Sequence, residues 1–359
     1  MDKEIKNIES TIKKIVSESM NAPSGDNCQP WYFNVSEETL FIYKKDEGNN
    51  NYLDFKSRGT LLAHGALIEN ISIVAKHYGY IIETNLFPEK DKKDLVVEIR
   101  FLKNNILNKE EEDLFEVLPK RTTNRKEYFK KNILQKDKNQ ILNNIDQNNI
   151  VVDFIENEVD KNKVFTSTTQ MERIALQNKF LHKLFFESIV WSKKEEAQRK
   201  QGLYLKTMEL PPPVVVFFKL LKFWPVAKFL SKIGFSKKVA ENNASSYQSS
   251  CPIIFSIKNT DPVSYIELGR VVERVWLRAT KLDIAVQPLA GVLYVYQRLH
   301  EDGNKDAVLS KEEAHIIEDS YQNIKKFISS SDATVSMILR VGYSKKPSAR
   351  SSKKEPEFL

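Results

Sequence analysis

The residues best suited to chemistry fall in two short stretches. The first is Ala22-Pro-Ser-Gly-Asp-Asn-Cys-Gln-Pro30. Here Ser24 and Asn27 offer short polar side chains beside Pro23, with the Gln29 amide just before Pro30, and such groups suit hydrogen bonding near a ring system. The second is Arg121-Thr-Thr-Asn-Arg125. Two guanidinium groups with the Thr123 hydroxyl between them suit a phosphate, because the planar fork binds its oxygens bidentately. Taken alone, those five residues would pass equally well as a solvated helix start. Arg350 adds a third guanidinium in a basic tail: Arg340 to Leu359 holds six basic and two acidic residues, a net +4 of the chain's total of +7. The tail carries only one Tyr and one Phe among its charges, so it reads as a solvated terminus and not as a nucleic-acid face.

Other chemistries are excluded by what is missing. The chain has 11 glycines and no Gly-x-Gly, which removes the dinucleotide fingerprint and the P-loop together. Its two cysteines, Cys28 and Cys251, lie far apart, and neither Cys-x-x-Cys nor His-Glu-x-x-His occurs, so no structural zinc, metal site or disulfide framework is expected. Cys28 reads as a small buried filler, His64 and His77 as helix-surface or packing residues, and Trp31 as core. There is no secretory n-region and h-region at the start, and the apolar stretch Leu210–Phe218 is far short of a membrane span. A cytoplasmic, reducing environment is the expectation.

The elements that must position these residues come next. At 359 residues, 41% of them hydrophobic, the chain predicts two domains or one large fold of two halves. Ile5, Ile8, Ile12, Ile15 and Val16 make one helical stripe, ended before Pro23. Trp31–Val35 and Leu40–Tyr43 read as strands, Leu61–Gly79 as a helix, Leu95–Phe101 as a strand and Lys103–Asp113 as a polar connector. The second half follows a like plan. A helix over Lys131–Asn144 leads through a polar loop at Asp146–Asn149 to a strand at Ile150–Ile155. A long helical stretch is expected over Val164–Trp191, an irregular segment over Gly202–Ala240 and a strand at Pro252–Lys258. Asp261-Pro262 supplies an N-cap and first-turn proline for a helix to about Leu282. Ser310 and Glu313 form a capping box for a helix through Ile328, and Val335–Val341 is a last strand. Gly65-Ala-Leu-Ile-Glu-Asn-Ile can be laid on Gly269-Arg-Val-Val-Glu-Arg-Val, with Ala75 on Ala279, which points to a degenerate internal repeat.

The loop from Ala22 through Trp31 to Val35 resembles the flavin loop of the FMN-dependent nitroreductase family, which likewise links a first helix to a strand. Arg121–Arg125 is similar to that family's Arg-Arg-Ser-x-Arg phosphate motif, with Thr123 at the serine position and Thr122 replacing the second arginine. Gly269–Pro288 resembles the family's central helix and the turn facing the flavin, and Leu339–Tyr343 with Ser348–Arg350 its terminal strand and phosphate tail. The resemblance implies an α+β fold with a mixed sheet flanked by helices. It implies bound FMN contacted by Pro23, Ser24, Asn27, Gln29, Arg121, Thr123, Arg125, Gln287, Pro288, Leu289 and Arg350. Gln287 and the backbone of Leu289 and Ala290 would face flavin N5 and the pyrimidine edge.

In common short members the phosphate motif precedes the loop, and two chains share each flavin. Here the loop lies in residues 1–113 and the phosphate motif and tail in 114–359. One chain therefore resembles a whole dimer with one flavin site kept, as in the long single-chain, Acg-like subgroup. The implied activity is oxidoreduction: NAD(P)H would reduce the flavin, and an electron-poor, planar acceptor would take the electrons. The alternative is an FMN-binding storage protein with little turnover. Residues 200–240, an insertion in the second half, are expected as a lid over the flavin. A membrane-surface helix and plain core are the competing readings of its apolar part, and its four widely spread lysines over Leu210–Phe235 count against the membrane. A small-molecule substrate is the expected partner, with the chain a monomeric pseudo-dimer or a homodimer.

Overall fold

The computed structural model describes residues 2–45, 52–104, 106, 108–145, 149–305 and 307–359, the side chains of residues 2–6 excepted. Helix α1 (Asp2–Ser19) buries Ile12, Ile15 and Val16 on one stripe and stops short of Pro23. Ile5 and most of the expected loop at residues 146–149 lie outside the described side chains and residues. Strands β1 (Trp31–Ser36) and β2 (Thr39–Lys44) pair as a hairpin from Trp31–Lys44 to Ser36–Thr39. Helix α2 (Arg58–His77) follows, with Gly79 just beyond it at φ +78°, the left-handed conformation that glycine adopts without strain. Strands β3 (Tyr80–Leu86) and β4 (Leu95–Lys103) complete a sheet of order β1-β2-β4-β3, antiparallel throughout. Helix α3 (Lys109–Val117) starts at the Asn108 cap, so the supposed connector over Lys103–Asp113 ends as a helical turn.

In the second half, α4 (Gln135–Ile141) is shorter than expected. The residues before it are extended, with Phe129 N–H donating to the Tyr343 carbonyl. Strand β5 (Ile150–Phe154) is followed by α5 (Glu158–Thr168), α6 (Gln170–Gln177) and α7 (Lys179–Ser188). The expected single helical stretch thus breaks into three, because Asn178 turns its side chain onto the Phe180 and Leu181 amides and restarts the helix. Short strand β6 (Ile189–Val190), α8 (Lys193–Arg199) and β7 (Leu203–Tyr204) lead to α9 (Pro212–Leu221), α10 (Trp224–Lys232) and α11 (Phe235–Tyr247), where irregular chain was expected. Strand β8 (Cys251–Ile257) then leads to α12 (Pro262–Lys281), capped by Asp261 as its sequence requires. Strand β9 (Ala285–Pro288), α13 (Gly291–Asp302), α14 (Lys311–Lys325) behind its Ser310–Glu313 capping box, and β10 (Thr334–Gly342) finish the fold. The second sheet has the order β5-β8-β10-β9 and is also antiparallel throughout.

The fold is α+β, but the expected mixed sheet is corrected to two antiparallel sheets of four strands each. Among the described residues, parallel pairing is confined to β6 with β7 and to single bridges at Phe33–Phe358 and Thr123–Val286. When β1, β2, β3 and β4 are matched in turn to β5, β8, β9 and β10, the two sheets have the same order. In each, a long helix lies between the second and third of those strands.

Those two helices, α2 and α12, cross at the centre. Helix α2 is buried on every side along most of its length, as an all-round apolar helix must be. The crossing is glycine on glycine. A Cβ on Gly65 would lie 1.9 Å from the Ile266 carbonyl oxygen, and one on Gly269 would lie 2.0 Å from that of Leu62. One turn further along each helix sits a buried glutamate. Glu69 meets Arg270 and Arg274, and Glu273 meets Arg121.

Candidate cofactor site

A cavity of about 480 Å³ opens beside this crossing, within the range of small-molecule sites. Leu62 and Ala63 of α2 form one wall, and Val272 and Trp276 of α12 with Met337 of β10 form the other. Loops from both halves close the remaining sides.

The loop after α1 is shaped by three residues in the left-handed region, Asp26, Asn27 and Gln29, at φ 45°, 57° and 53°. Asn and Asp tolerate that conformation better than most side chains. Ser24 Oγ accepts from the Gln29 N–H at 3.0 Å. The Gln29 side chain is buried, donates to the carbonyls of Asn27 (3.0 Å) and Lys200 (2.7 Å), and accepts from the Lys354 N–H at 2.7 Å. The Asn27 amide donates to the Ser352 carbonyl at 2.9 Å. The loop is thereby tied both to the residue-200 segment and to the basic tail.

The stretch Arg121–Arg125 is extended, not helical. Thr123 bridges to Val286 in parallel, and Asn124 N–H donates to the Val286 carbonyl at 2.8 Å, so β9 holds the motif against the cavity. The Arg121 guanidinium is buried, stacks over Trp276 at 4.6 Å and donates to the Asn21 carbonyl. Its Nε lies 3.2 Å from Glu273 Oε1, but neither atom has a partner in hydrogen-bond geometry. Arg350 donates to the Arg121 carbonyl at 2.7 Å, and Lys353 Nζ to the Ala22 carbonyl at 2.8 Å. Arg121, Arg350 and Lys353 therefore converge at one end of the cavity.

This crowding of charge perturbs the groups involved. Burial first, then Arg121, pushes the Lys353 ammonium down to about 7, with Glu273 opposing. Burial pushes the Glu273 carboxyl up to about 7 against the pull of Arg121. Arg125 sits further along the wall, half-buried, donating to the Thr207 carbonyl at 3.3 Å, with Asp26 as its nearest opposing charge.

The structure brings eight of the eleven expected site residues to one cavity: Pro23, Ser24, Asn27, Arg121, Thr123, Arg125, Pro288 and Arg350. The other three, Gln29, Gln287 and Leu289, lie outside its lining. Gln29 does not line the cavity, because all its polar atoms are used to hold the loop. Gln287 points away from it. Its side chain accepts from Arg340 Nη1 at 2.8 Å and donates to the Tyr247 hydroxyl at 3.4 Å. Leu289 spends its N–H on the Ile338 carbonyl at 2.8 Å. Ala290 and Gly291, at the start of α13, border the cavity instead.

Other polar and aromatic residues of the lining were not among those expected. Lys353 and Asp26 carried no signal beyond lying in stretches already of interest. Trp276 looked like helix core, and Tyr294 lies in α13, which the sequence did not predict. Cys28 also lines the cavity and is half-buried, which corrects its reading as a buried filler. His64 is a packing residue, as expected: it is fully buried with Nδ1 2.8 Å from the Thr60 carbonyl, and burial pushes it down to about 4. Of the expected lid, Gly202, Leu203 and Thr207 border the cavity; residues 210–240 do not.

No protein-family model matches the chain, and no curated protein matches it. Among solved structures it is similar to a nitroreductase with bound FMN from Bacteroides fragilis, at 12% identity and a TM-score of 0.35, over 69% of this chain and 95% of that one. It is similar to an FMN-dependent nitroreductase from Clostridium difficile, at 10% identity and a TM-score of 0.36, over 67% and 95%. It is also similar to oxidised iodotyrosine deiodinase bound to FMN and 3-iodo-L-tyrosine, at 13% identity and a TM-score of 0.34, over 67% and 95%. Values this low assign no family.

Proposed function

We propose that the chain is an FMN-dependent oxidoreductase of nitroreductase type, reduced by NAD(P)H and passing electrons to a planar, electron-poor acceptor. The observation that carries this reading is the convergence of Arg121, Arg350 and Lys353 at one end of a cavity with an apolar, aromatic wall. Arg121 and Lys353 share one buried carboxylate there, Glu273, and burial with Arg121 beside it pushes the Lys353 ammonium down to about 7. A phosphate monoester supplies nearly two negative charges and fits that donor set. The apolar and aromatic part of the lining, Leu62, Ala63, Val272 and Trp276, suits a flat ring system.

A bound flavin would supply two-electron redox chemistry. The chain's own residues would bind and orient it. Arg350, Lys353 and Arg121 would neutralise the phosphate, Thr123 would donate a hydroxyl, and Ser24 and Asn27 would hold the loop over the ring. Ala290 and Gly291, whose N–H groups begin α13, are placed to favour negative charge at the ring edge. Gly25, Asp26, Gly291 and Arg350 are exposed while lining the cavity, so solvent reaches it. That opening favours turnover over storage.

We also infer that the chain is an internal duplication, with residues 1–113 and 114–359 as its halves. The identical sheet orders and the reciprocal Gly65–Gly269 crossing support this. In the place where a second site would face Glu69, Arg270 and Arg274 fill the space as an ion-pair layer with Glu111.

The test is anaerobic addition of NADPH or NADH to protein reconstituted with FMN, read in the visible flavin spectrum. Rapid bleaching is expected. A bound flavin that yields only to dithionite would overturn the reductase in favour of storage, and failure to bind FMN would overturn the site.

A further inference from the structure

Helices α9 and α10 carry exposed apolar residues that no other described residue covers. Of their inner residues, Phe218 and Leu221 are buried in a small core that also holds Leu176, Phe186 and Ile189, and Ala227 is buried as well. On the outside, Val216, Leu220 and Phe223 recur at helical spacing, as do Pro225, Phe229 and Ile233. Their relative exposures are 66%, 51% and 61% for the first stripe and 64% and 68% for Phe229 and Ile233. With Val214, six of the thirteen large exposed hydrophobic residues described fall within 20 positions. An apolar patch of this density on a water-facing surface marks an interaction site.

The charges name the partner. From Leu210 to Ala240 there is no Asp or Glu, while Lys219, Lys222, Lys228, Lys232, Lys237 and Lys238 are all exposed. Lys219, Lys228 and Lys232 fall at i+3 positions beside the apolar stripes, so each stripe is flanked by cations. A basic border around Phe, Leu and Ile on a short helix is the composition of helices that lie in the plane of an anionic bilayer. No helix among the described residues is long and apolar enough to cross a membrane, so the contact is with the surface.

We propose that the α9–α10 face docks this protein onto anionic lipid bilayers. The phenyl groups of Phe223 and Phe229 enter the acyl boundary, and the lysines meet lipid phosphates. Sequence alone counted against this, because four lysines spread over Leu210–Phe235 look dilute until the structure shows all four exposed alongside the exposed apolar residues.

The experiment is co-sedimentation of the full chain with vesicles of phosphatidylcholine containing phosphatidylglycerol, against vesicles of phosphatidylcholine alone. Binding to the anionic vesicles, lost in high salt, is expected. Lys219→Gln, Lys228→Gln and Lys232→Gln together should weaken it about a hundredfold, at roughly fivefold per lysine. Phe223→Ser with Phe229→Ser should abolish it while circular dichroism and thermal melting stay at wild-type values. Three results would overturn the proposal: equal binding to both vesicle types, no binding by folded protein, or a concentration-dependent dimer that the two Phe substitutions disperse. The last would assign the face to a second copy of the chain.

Discussion

Replacing Gly65 by alanine tests the centre of the fold directly. The new Cβ would sit 1.9 Å from the Ile266 carbonyl oxygen and 2.8 Å from its carbon, where ordinary contact begins near 3.4 Å. The obstacle is helix backbone, which cannot rotate aside, so α2 and α12 must move apart by about 1 Å or more. A gap of that size forfeits roughly a third of each dispersion contact across the seam, each worth about 0.15 kcal/mol. With about 25 such contacts per facing side chain, three side chains lose about 4 kcal/mol. That is a large part of the roughly 5–15 kcal/mol that holds a domain together. Gly269→Ala meets the same barrier in mirror image, 2.0 Å from the Leu62 oxygen. Because one separation of the helices admits both methyl groups, the double variant should cost little more than the worse single one. Urea unfolding followed by far-UV circular dichroism would read all four proteins. A single substitution costing under about 1 kcal/mol, or a double that equals the sum, would refute the reciprocal crossing.

Three further outcomes follow from the site. Arg350→Ala should weaken FMN binding about 10- to 100-fold, as loss of a charge-assisted hydrogen bond does; a flavin-fluorescence titration unchanged within about twofold would count against the phosphate end. Lys353 is held near 7 without an anion, so at pH 8 it is largely neutral and FMN binding should take up a proton, with affinity falling as pH rises through 7. Calorimetry in buffers of differing ionisation heat would show that uptake, and Lys353→Met should reduce it; equal uptake in both would sink the assignment. In the cofactor-free protein the unfolded chain keeps this proton to about 10.4, so Lys353 makes stability rise with pH between about 7 and 10. Gln287→Ala should cost about 1–3 kcal/mol in unfolding by stranding buried Arg340 while leaving FMN affinity nearly unchanged, and a large loss of affinity would put Gln287 back at the flavin.

Local signals in the sequence were read correctly because they are local. The Asp261-Pro262 cap, the Ser310–Glu313 box and the break before Pro23 each act within one helical turn. The loop around Asn27 and the stretch at Arg121 were visible as chemistry, and both reach the cavity. What was misjudged depends on register or distance. Gln287 pairs with Arg340 across β9 and β10, and a shift of one residue would have turned its side chain to the other face. Strand β3 was missed because its Glu83-Thr-Asn85 centre, on an edge strand with little burial, has no apolar alternation to show. Lys353 has no periodic neighbours at all; only the carbonyl of Ala22, over three hundred residues away in the chain, places it. The Arg340 guanidinium lies between Tyr128 and Tyr247, at 3.8 and 4.3 Å. A lone arginine in an apolar strand was the only hint of that stack.

The loop at Pro23–Cys28 and the cations at Arg350 and Lys353 share one cavity, yet they leave the ribosome far apart in time. Some 330 residues separate them, which at ordinary elongation rates is about 15–65 s of synthesis. Through that interval the loop lacks the carbonyl of Ser352 and the amide of Lys354 that hold it. A nascent chain therefore has no complete place to load a cofactor. On the proposed reading, a cofactor could be held in full only once the segment around Ser352 and Lys354 has been made and has met the loop.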